Sequence, residues 1–124
     1  SPLQMALVAA TLTNDGYQPA PKLANSYQDE NGNWIAFGQS TTQQQILDSA
    51  VAFRIRERLK AEKQAIWYQV GHANIADDEP LTWYIGGTTP EWTGTPLAIA
   101  IAIEGSQPAL ALQIGSALLN PAAP

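Results

Sequence analysis

The sequence predicts an α+β fold: a small antiparallel sheet, made of a three-strand meander and a separate protruding hairpin, packed with three helices. Three observations carry this. Apolar runs over residues 65–73, 81–86 and 97–103 follow one another through short connections, which favours antiparallel neighbours. Asn31-Gly32 lies between two short extended stretches, a strong hairpin signal. Three further stretches carry helix-start residues followed by apolar positions at helical spacing. The 124 residues suit one domain, or one fragment of a larger one, over positions 1–124.

Ser1-Pro2-Leu3-Gln4 opens the first helix: serine caps, proline takes the first helical position, and Gln4 completes a capping-box spacing. Leu3, Ala6, Leu7 and Ala10 form one stripe and Met5, Val8 and Leu12 another, so burial on most sides is expected. Asn14-Asp15-Gly16 ends the helix, and the prolines of YQPAP keep the chain extended. The segment KLANSYQDENGNWIAFG supplies the hairpin, whose polar outer residues point to a protruding element. Ser40-Thr41-Thr42 is read as the start of the second helix, which runs to Lys63 or Gln64 with Leu47, Val51, Ile55 and Leu59 inward and its charges outward. In LAIAIAI, the large residues Leu97, Ile99, Ile101 and Ile103 face one way and Ala98, Ala100 and Ala102 the other; the alanine face suits a closely packed helix. Ser106-Gln107-Pro108 starts the last helix, with Leu110, Ile114, Ala117 and Leu118 as its expected apolar side.

Composition narrows the function. Charged residues make up 14%, against about 25% in typical domains, which points to large internal surfaces or to neighbouring segments left out of this chain. The net charge is −5, and five of the six basic residues fall between Arg54 and Lys63, as the solvated face of a helix. No nucleic-acid partner is expected from such a balance. The absence of cysteine excludes disulfides, thiol nucleophiles and thiolate metal sites. LAIAIAI stops at Glu104, well short of a membrane span, and the abrupt helix start at Ser1 reads as a piece of something longer.

Several stretches resemble the C-terminal part of the penicillin-binding transpeptidase domain. SPLQMALVAATLTNDGYQPAPKL is similar to the family helix opening T-P-L-Q-M-A, which ends in asparagine-glycine and leads to a proline-containing extended stretch. DENGNW resembles the exposed hairpin after it, WYIGGTTPE the strand with an aromatic pair, and LAIAIAIEGSQPALALQIGSALL the last strand and closing helix. In the family, the strand before the aromatic pair ends in K-T-G, often followed by Thr-Ala. The matching positions here are Gln69, Val70, Gly71, His72 and Ala73, so only Gly71 and Ala73 agree. The resemblance implies that Gln69, Val70, Gly71 and His72 are the remnant of a substrate-binding strand. Gln69 brings no cation and Val70 no hydroxyl, while the His72 backbone N–H keeps the place of an oxyanion donor if the strand geometry is kept.

The family nucleophile lies in S-x-x-K and a second motif is S-x-N. None of Ser1, Ser26, Ser40, Ser49, Ser106 and Ser116 has lysine three positions on or asparagine two positions on. No catalytic residue is therefore assigned. The resemblance implies an extracytoplasmic, cell-wall-related region, non-catalytic as given, with a structural or peptide- or partner-binding role along the Gly71 strand edge. The alternative it implies is the C-terminal wall of an active D,D-transpeptidase whose two serine motifs lie upstream. Expected partners are the upstream remainder of such a domain and further copies of the chain through self-association or strand exchange. A peptidoglycan stem peptide or a β-lactam is expected only with an intact parent site.

Other chemistry is weaker. His72, the single histidine, has no marked serine for a triad. Asp77, Asp78 and Glu79 read as a solvated turn rather than metal ligands, and no metal or cofactor is expected. Gly86-Gly87-Thr88-Thr89-Pro90 lacks the lysine of a phosphate loop. Glu91 and Glu104 could be imagined as a carboxylate pair for glycoside cleavage, but nothing in the sequence fixes their separation. Trp34, Trp67, Trp83 and Trp92, with Tyr68 and Tyr84, divide between core and the opposite sheet face rather than forming a sugar platform.

Overall fold

The computed structural model describes residues 1–22, 24–38, 42–74 and 79–119. The elements run α1 (Pro2–Thr13), β1 (Tyr17–Gln18), β2 (Ser26–Gln28), β3 (Trp34–Ala36), β4 (Gln44–Gln45), α2 (Ser49–Leu59), β5 (Ile66–Asn74), β6 (Pro80–Thr88), β7 (Ala98–Glu104) and α3 (Pro108–Leu119). β5, β6 and β7 form the expected antiparallel meander in that order. β2 pairs only with β3, as the separate hairpin, and β1 pairs with β4.

α1 starts as its sequence dictates. The Ser1 hydroxyl accepts from the Gln4 N–H, and the Gln4 side chain accepts from the Ser1 amino group. It stops at Thr13, and Gly16 turns the chain at φ +90°, where a Cβ would strike the Leu47 carbonyl. In the hairpin, Gly32 takes φ +84° and donates to the Asp29 carbonyl at 3.0 Å. The Asp29 carboxylate accepts the N–H groups of Asn31 and Asn33 at 2.9 and 2.8 Å, and these bonds hold its pKa below the ordinary value. The hairpin protrudes as expected, but its exposure is not a matter of polarity: Tyr27, Trp34, Ile35 and Phe37 are all exposed.

The sheet has a core on each face. On one side Ala9 and Leu12 of α1 and Ala52 of α2 close over Trp67, with Ile85 and Ala98 beside them. On the other, Ala111 and Leu119 of α3 pack on Ile66 and Tyr84, flanked by Tyr68, Val70, Ile99, Ile101 and Ile103. The alternation of β7 is thus used as predicted, with its alanine side beneath α1.

Four expectations are corrected. α2 begins at Ser49, capped by the Asp48 carboxylate accepting from the Ala50 N–H at 2.9 Å, and ends at Leu59. Gln44-Gln45 instead pairs with Tyr17-Gln18, a tertiary pairing that outweighs a local helix signal; Ser40 and Thr41 lie outside the described residues. The buried side of α3 is Ala111, Gly115 and Leu119, whereas Leu110, Ile114 and Leu118 are exposed. Small residues face inward because the Tyr84 ring occupies the space over Gly115, where any Cβ would overlap it. α1 is buried on one side only, with Leu3 and Val8 exposed. Finally, Arg56 is not on the solvated face of α2: its side chain is 3% exposed.

Tyr68 and Tyr84 stack with ring centroids 5.5 Å apart. Among the described residues the Tyr84 hydroxyl is buried without a hydrogen-bond partner at close range, Ser116 being a polar neighbour that acts on it. Burial first, and the neighbouring Tyr68 second, push its pKa up from 10.0 to about 12. The folded value lies above the unfolded one, so this contribution to stability is whole below pH 10 and is lost as pH rises through about 12. Tyr84→Phe is expected to remove an alkaline destabilisation of about 1 kcal/mol, measured by urea unfolding between neutral pH and pH 11.

Candidate functional site

The four residues singled out in the sequence all lie on β5, the edge strand of the meander. Backbone bonds at its start fix which way each residue points. The Ala65 carbonyl accepts from Thr89, toward β6, while the Ile66 carbonyl accepts from Ala61, on the outer side. Peptide groups alternate along a strand, so residues 68, 70, 72 and 74 direct their N–H and C=O away from β6. The His72 N–H therefore points out from the sheet edge, the orientation an exposed donor needs.

Side chains alternate across the sheet. Gln69 and Gly71 sit opposite Ile85 and Trp83, on the α1/α2 face; Val70 and His72 sit opposite Tyr84 and Thr82, on the α3 face. Val70 packs into the α3 core, whereas Gln69 and His72 are exposed. A Cβ at Gly71 would meet nothing within 4 Å. Nothing among the described residues therefore requires glycine there, and the open space adjoins the outward N–H of His72. The Gln69 carboxamide donates to the Val70 carbonyl at 2.8 Å.

Thr82, absent from the sequence reasoning, ties the strand to the rest of the fold. Its hydroxyl donates to the Gly105 carbonyl and accepts from the Gln107 N–H, each at 2.8 Å, and lies 3.5 Å from His72 Nδ1. No sequence signal marks this role; it arises only once β5, β6 and the entry to α3 are adjacent.

The other candidates are not assembled into a site. Glu91 is held by Lys60 at 2.8 Å, which, with weaker hydrogen bonds, lowers its pKa to about 2. Glu104 ends β7 at the opposite end of the sheet, roughly 20 Å along the strand, well beyond the spacing of a glycosidase pair. Gly86 and Gly87 serve packing instead of phosphate. A Cβ on Gly86 would lie 2.7 Å from the Trp67 carbonyl, and one on Gly87 3.0 Å from the Trp67 indole nitrogen. Trp67 and Tyr84 are fully buried, Trp83 and Tyr68 are half-buried on opposite faces of the sheet, Trp34 is exposed on the hairpin, and Trp92 donates to the Thr95 carbonyl at 3.1 Å, so these rings share no single exposed face. Asp77 and Asp78 lie outside the described residues; among those described, no cluster of metal-ligating side chains occurs. An apolar cleft of about 360 Å³ between α1, α2 and the β1–β4 pair, with Leu7, Val8, Ile46 and Ile55 in its walls, includes no β5 residue. Among the described residues no helix is long and apolar enough to cross a membrane.

No protein-family model and no curated protein matches the sequence. Solved structures do. The chain aligns over 94% of its length with penicillin-binding protein A from Mycobacterium tuberculosis in its imipenem acyl-enzyme complex, with a TM-score of 0.78 and 26% identity. A second structure of that protein gives a TM-score of 0.75 at 24% identity over 94% of the chain. A peptidoglycan synthetase from Bifidobacterium adolescentis shares the fold at 14% identity, with a TM-score of 0.71 over 98% of the chain. The chain spans 29%, 33% and 28% of these structures respectively. Element order, meander and closing helix thus agree with the resemblance read from the sequence: the chain has the fold of the C-terminal region of a penicillin-binding transpeptidase domain.

Proposed function

We propose that this chain is a penicillin-binding-protein-like region of a cell-wall protein, extracytoplasmic, whose β5 edge recognises an extended peptide through its backbone and performs no acyl transfer. The observation that carries this is the composition of that edge. The outward N–H of His72 and the uncrowded Gly71 are present, while Gln69 supplies no cation and Val70 turns an apolar side chain into the α3 core. A strand edge of this kind can hold a peptide by main-chain hydrogen bonds. It lacks the charge that would stabilise a developing oxyanion or hold a substrate carboxylate. The peptidoglycan stem peptide is the ligand class in keeping with the neighbouring folds.

A second reading keeps the chain as one wall of an active D,D-transpeptidase, with both serine motifs upstream. It is favoured by the similarity to a structure captured as an acyl-enzyme.

Peptide recognition is tested by titrating the ¹⁵N-labelled chain with diacetyl-lysyl-D-alanyl-D-alanine. The Val70 and His72 amide resonances are expected to shift together, ahead of amides in α3. Shifts confined to the apolar cleft, or none at millimolar peptide, would rule out the β5 edge as the recognition surface.

A further inference from the structure

The apolar cleft between α1, α2 and the β1–β4 pair has a volume of about 360 Å³, within the range of about 300–1,000 Å³ usual for small-molecule pockets. Val8 and Ile46 in its walls are 47% and 49% exposed, so it is open to a ligand. Two polar residues of its lining have their groups engaged within the fold. The Thr11 hydroxyl donates to the Leu7 carbonyl at 2.7 Å, and Gln4 Oε1 accepts from the Ser1 amino group at 2.9 Å. A molecule that fills the cleft must therefore be apolar over most of its surface.

One end of the cleft is cationic. Ile55 is shared with an adjoining hollow whose other walls are Val51, Arg54 and Arg58. The two arginines lie one turn apart on the exposed side of α2. The neighbouring basic groups are neutralised, Arg56 by Asp15 and Lys60 by Glu91 and Glu57. Arg54 and Arg58 have no carboxylate partner among the described residues, and of their donors only Arg54 Nε is engaged, by the Ala50 carbonyl at 3.3 Å. Like charges at this spacing repel. An anion held between them relieves that repulsion and gains charge-assisted hydrogen bonds. We propose that the cleft binds a single-chain anionic amphiphile of the fatty-acid class, its tail against Val8 and Ile46 and its carboxylate held by Arg54 and Arg58. The apolar walls select the tail, and the two unpaired guanidinium groups select the sign of the head. A recess between two helices takes one molecule rather than a bilayer surface, and the net charge of −5 repels an anionic one. No residue of β5 takes part, so the proposal is independent of peptide recognition.

Isothermal titration calorimetry of the intact chain with dodecanoate, below its micelle-forming concentration, provides the test. One molecule per chain is expected to bind. Dodecyltrimethylammonium, with the same tail and a cationic head, is expected to bind at least about tenfold more weakly. The double variant Arg54→Gln/Arg58→Gln, at two exposed positions, is expected to weaken dodecanoate binding about threefold to tenfold without moving the urea midpoint. Val8→Asp, also at an exposed position, sets a carboxylate in the path of the tail and is expected to abolish binding. The full gene product containing this chain is expected to bind dodecanoate as the chain does. No binding, equal affinity for the two head groups, or no effect of the arginine variant would overturn the proposal. So would loss of binding in the full gene product, which would make the rest of that protein the occupant of the cleft. Binding seen only with phosphatidylglycerol vesicles would overturn it as well, and would make this face a membrane contact.

Discussion

Arg56→Ala is expected to destabilise the fold by about 2–4 kcal/mol, a cost on the order of 10 °C in Tm. The α1 helix ends with carbonyls that have no intrahelical donor. Arg56, reaching across from α2, supplies one: Nη1 donates to the Leu12 carbonyl at 2.8 Å and to the Thr13 carbonyl at 3.1 Å. Nη2 donates to the Asp15 carboxylate at 2.6 Å, just past the helix end. A cation there also faces the negative pole of the helix. Alanine would leave these carbonyls without their donor and a gap between the two helices. Asp15 is mostly exposed at 61%, so Asp15→Asn is expected to cost about 1 kcal/mol or less. The contrast separates backbone capping from simple ion pairing. Denaturant unfolding of both variants measures it, and equal losses would show that the ion pair, not the helix end, is what Arg56 serves.

Gly115→Ala is expected to cost about 1–3 kcal/mol, although alanine is the better helix former by about 0.8–1.0 kcal/mol. The methyl group would enter the Tyr84 ring, which is fully buried between α3 and the sheet and stacked on Tyr68. α3 would have to lift from the strand that aligns β5. Tyr84→Leu should lose stability alone yet relieve the Gly115→Ala penalty in the double variant, giving a coupling energy of about 1 kcal/mol or more. Additive effects in that cycle would mean that the ring is not what excludes a side chain at position 115.

These two residues also show where sequence reasoning reached its limit. Elements with local determinants were legible: the Ser1–Gln4 capping box, the Asn31-Gly32 turn, the three apolar strands and the alanine face of β7. Features created by distant neighbours were not. Arg56 looks like the other charges of its helix until the end of α1 is placed beside it. Leu110, Ile114 and Leu118 form the more hydrophobic stripe of α3, but the inward face is chosen by the volume of Tyr84, which favours Ala111 and Gly115. The pairing of Gln44-Gln45 with Tyr17-Gln18 replaced the helix start read at Ser40–Thr42 for the same kind of reason. At the candidate site, the uncharged Gln69 and the apolar Val70 could be read directly from the sequence. The outward direction of the His72 N–H required the hydrogen bonds of Ala65 and Ile66. The bend of Gln69 onto Val70 and the triple role of Thr82 required side-chain placement.

The central proposal is that this chain, which has the fold of the C-terminal region of a penicillin-binding transpeptidase domain, contributes a β5 strand that performs no acyl transfer. The measurement that tests it most directly is the intact mass of the full gene product containing this chain, shown to be folded by circular dichroism, after incubation with imipenem. The mass of the unmodified protein is expected. An increase equal to one imipenem would contradict the claim, and would make β5, with Gln69 and Val70 in place, part of a working acyl-transfer site.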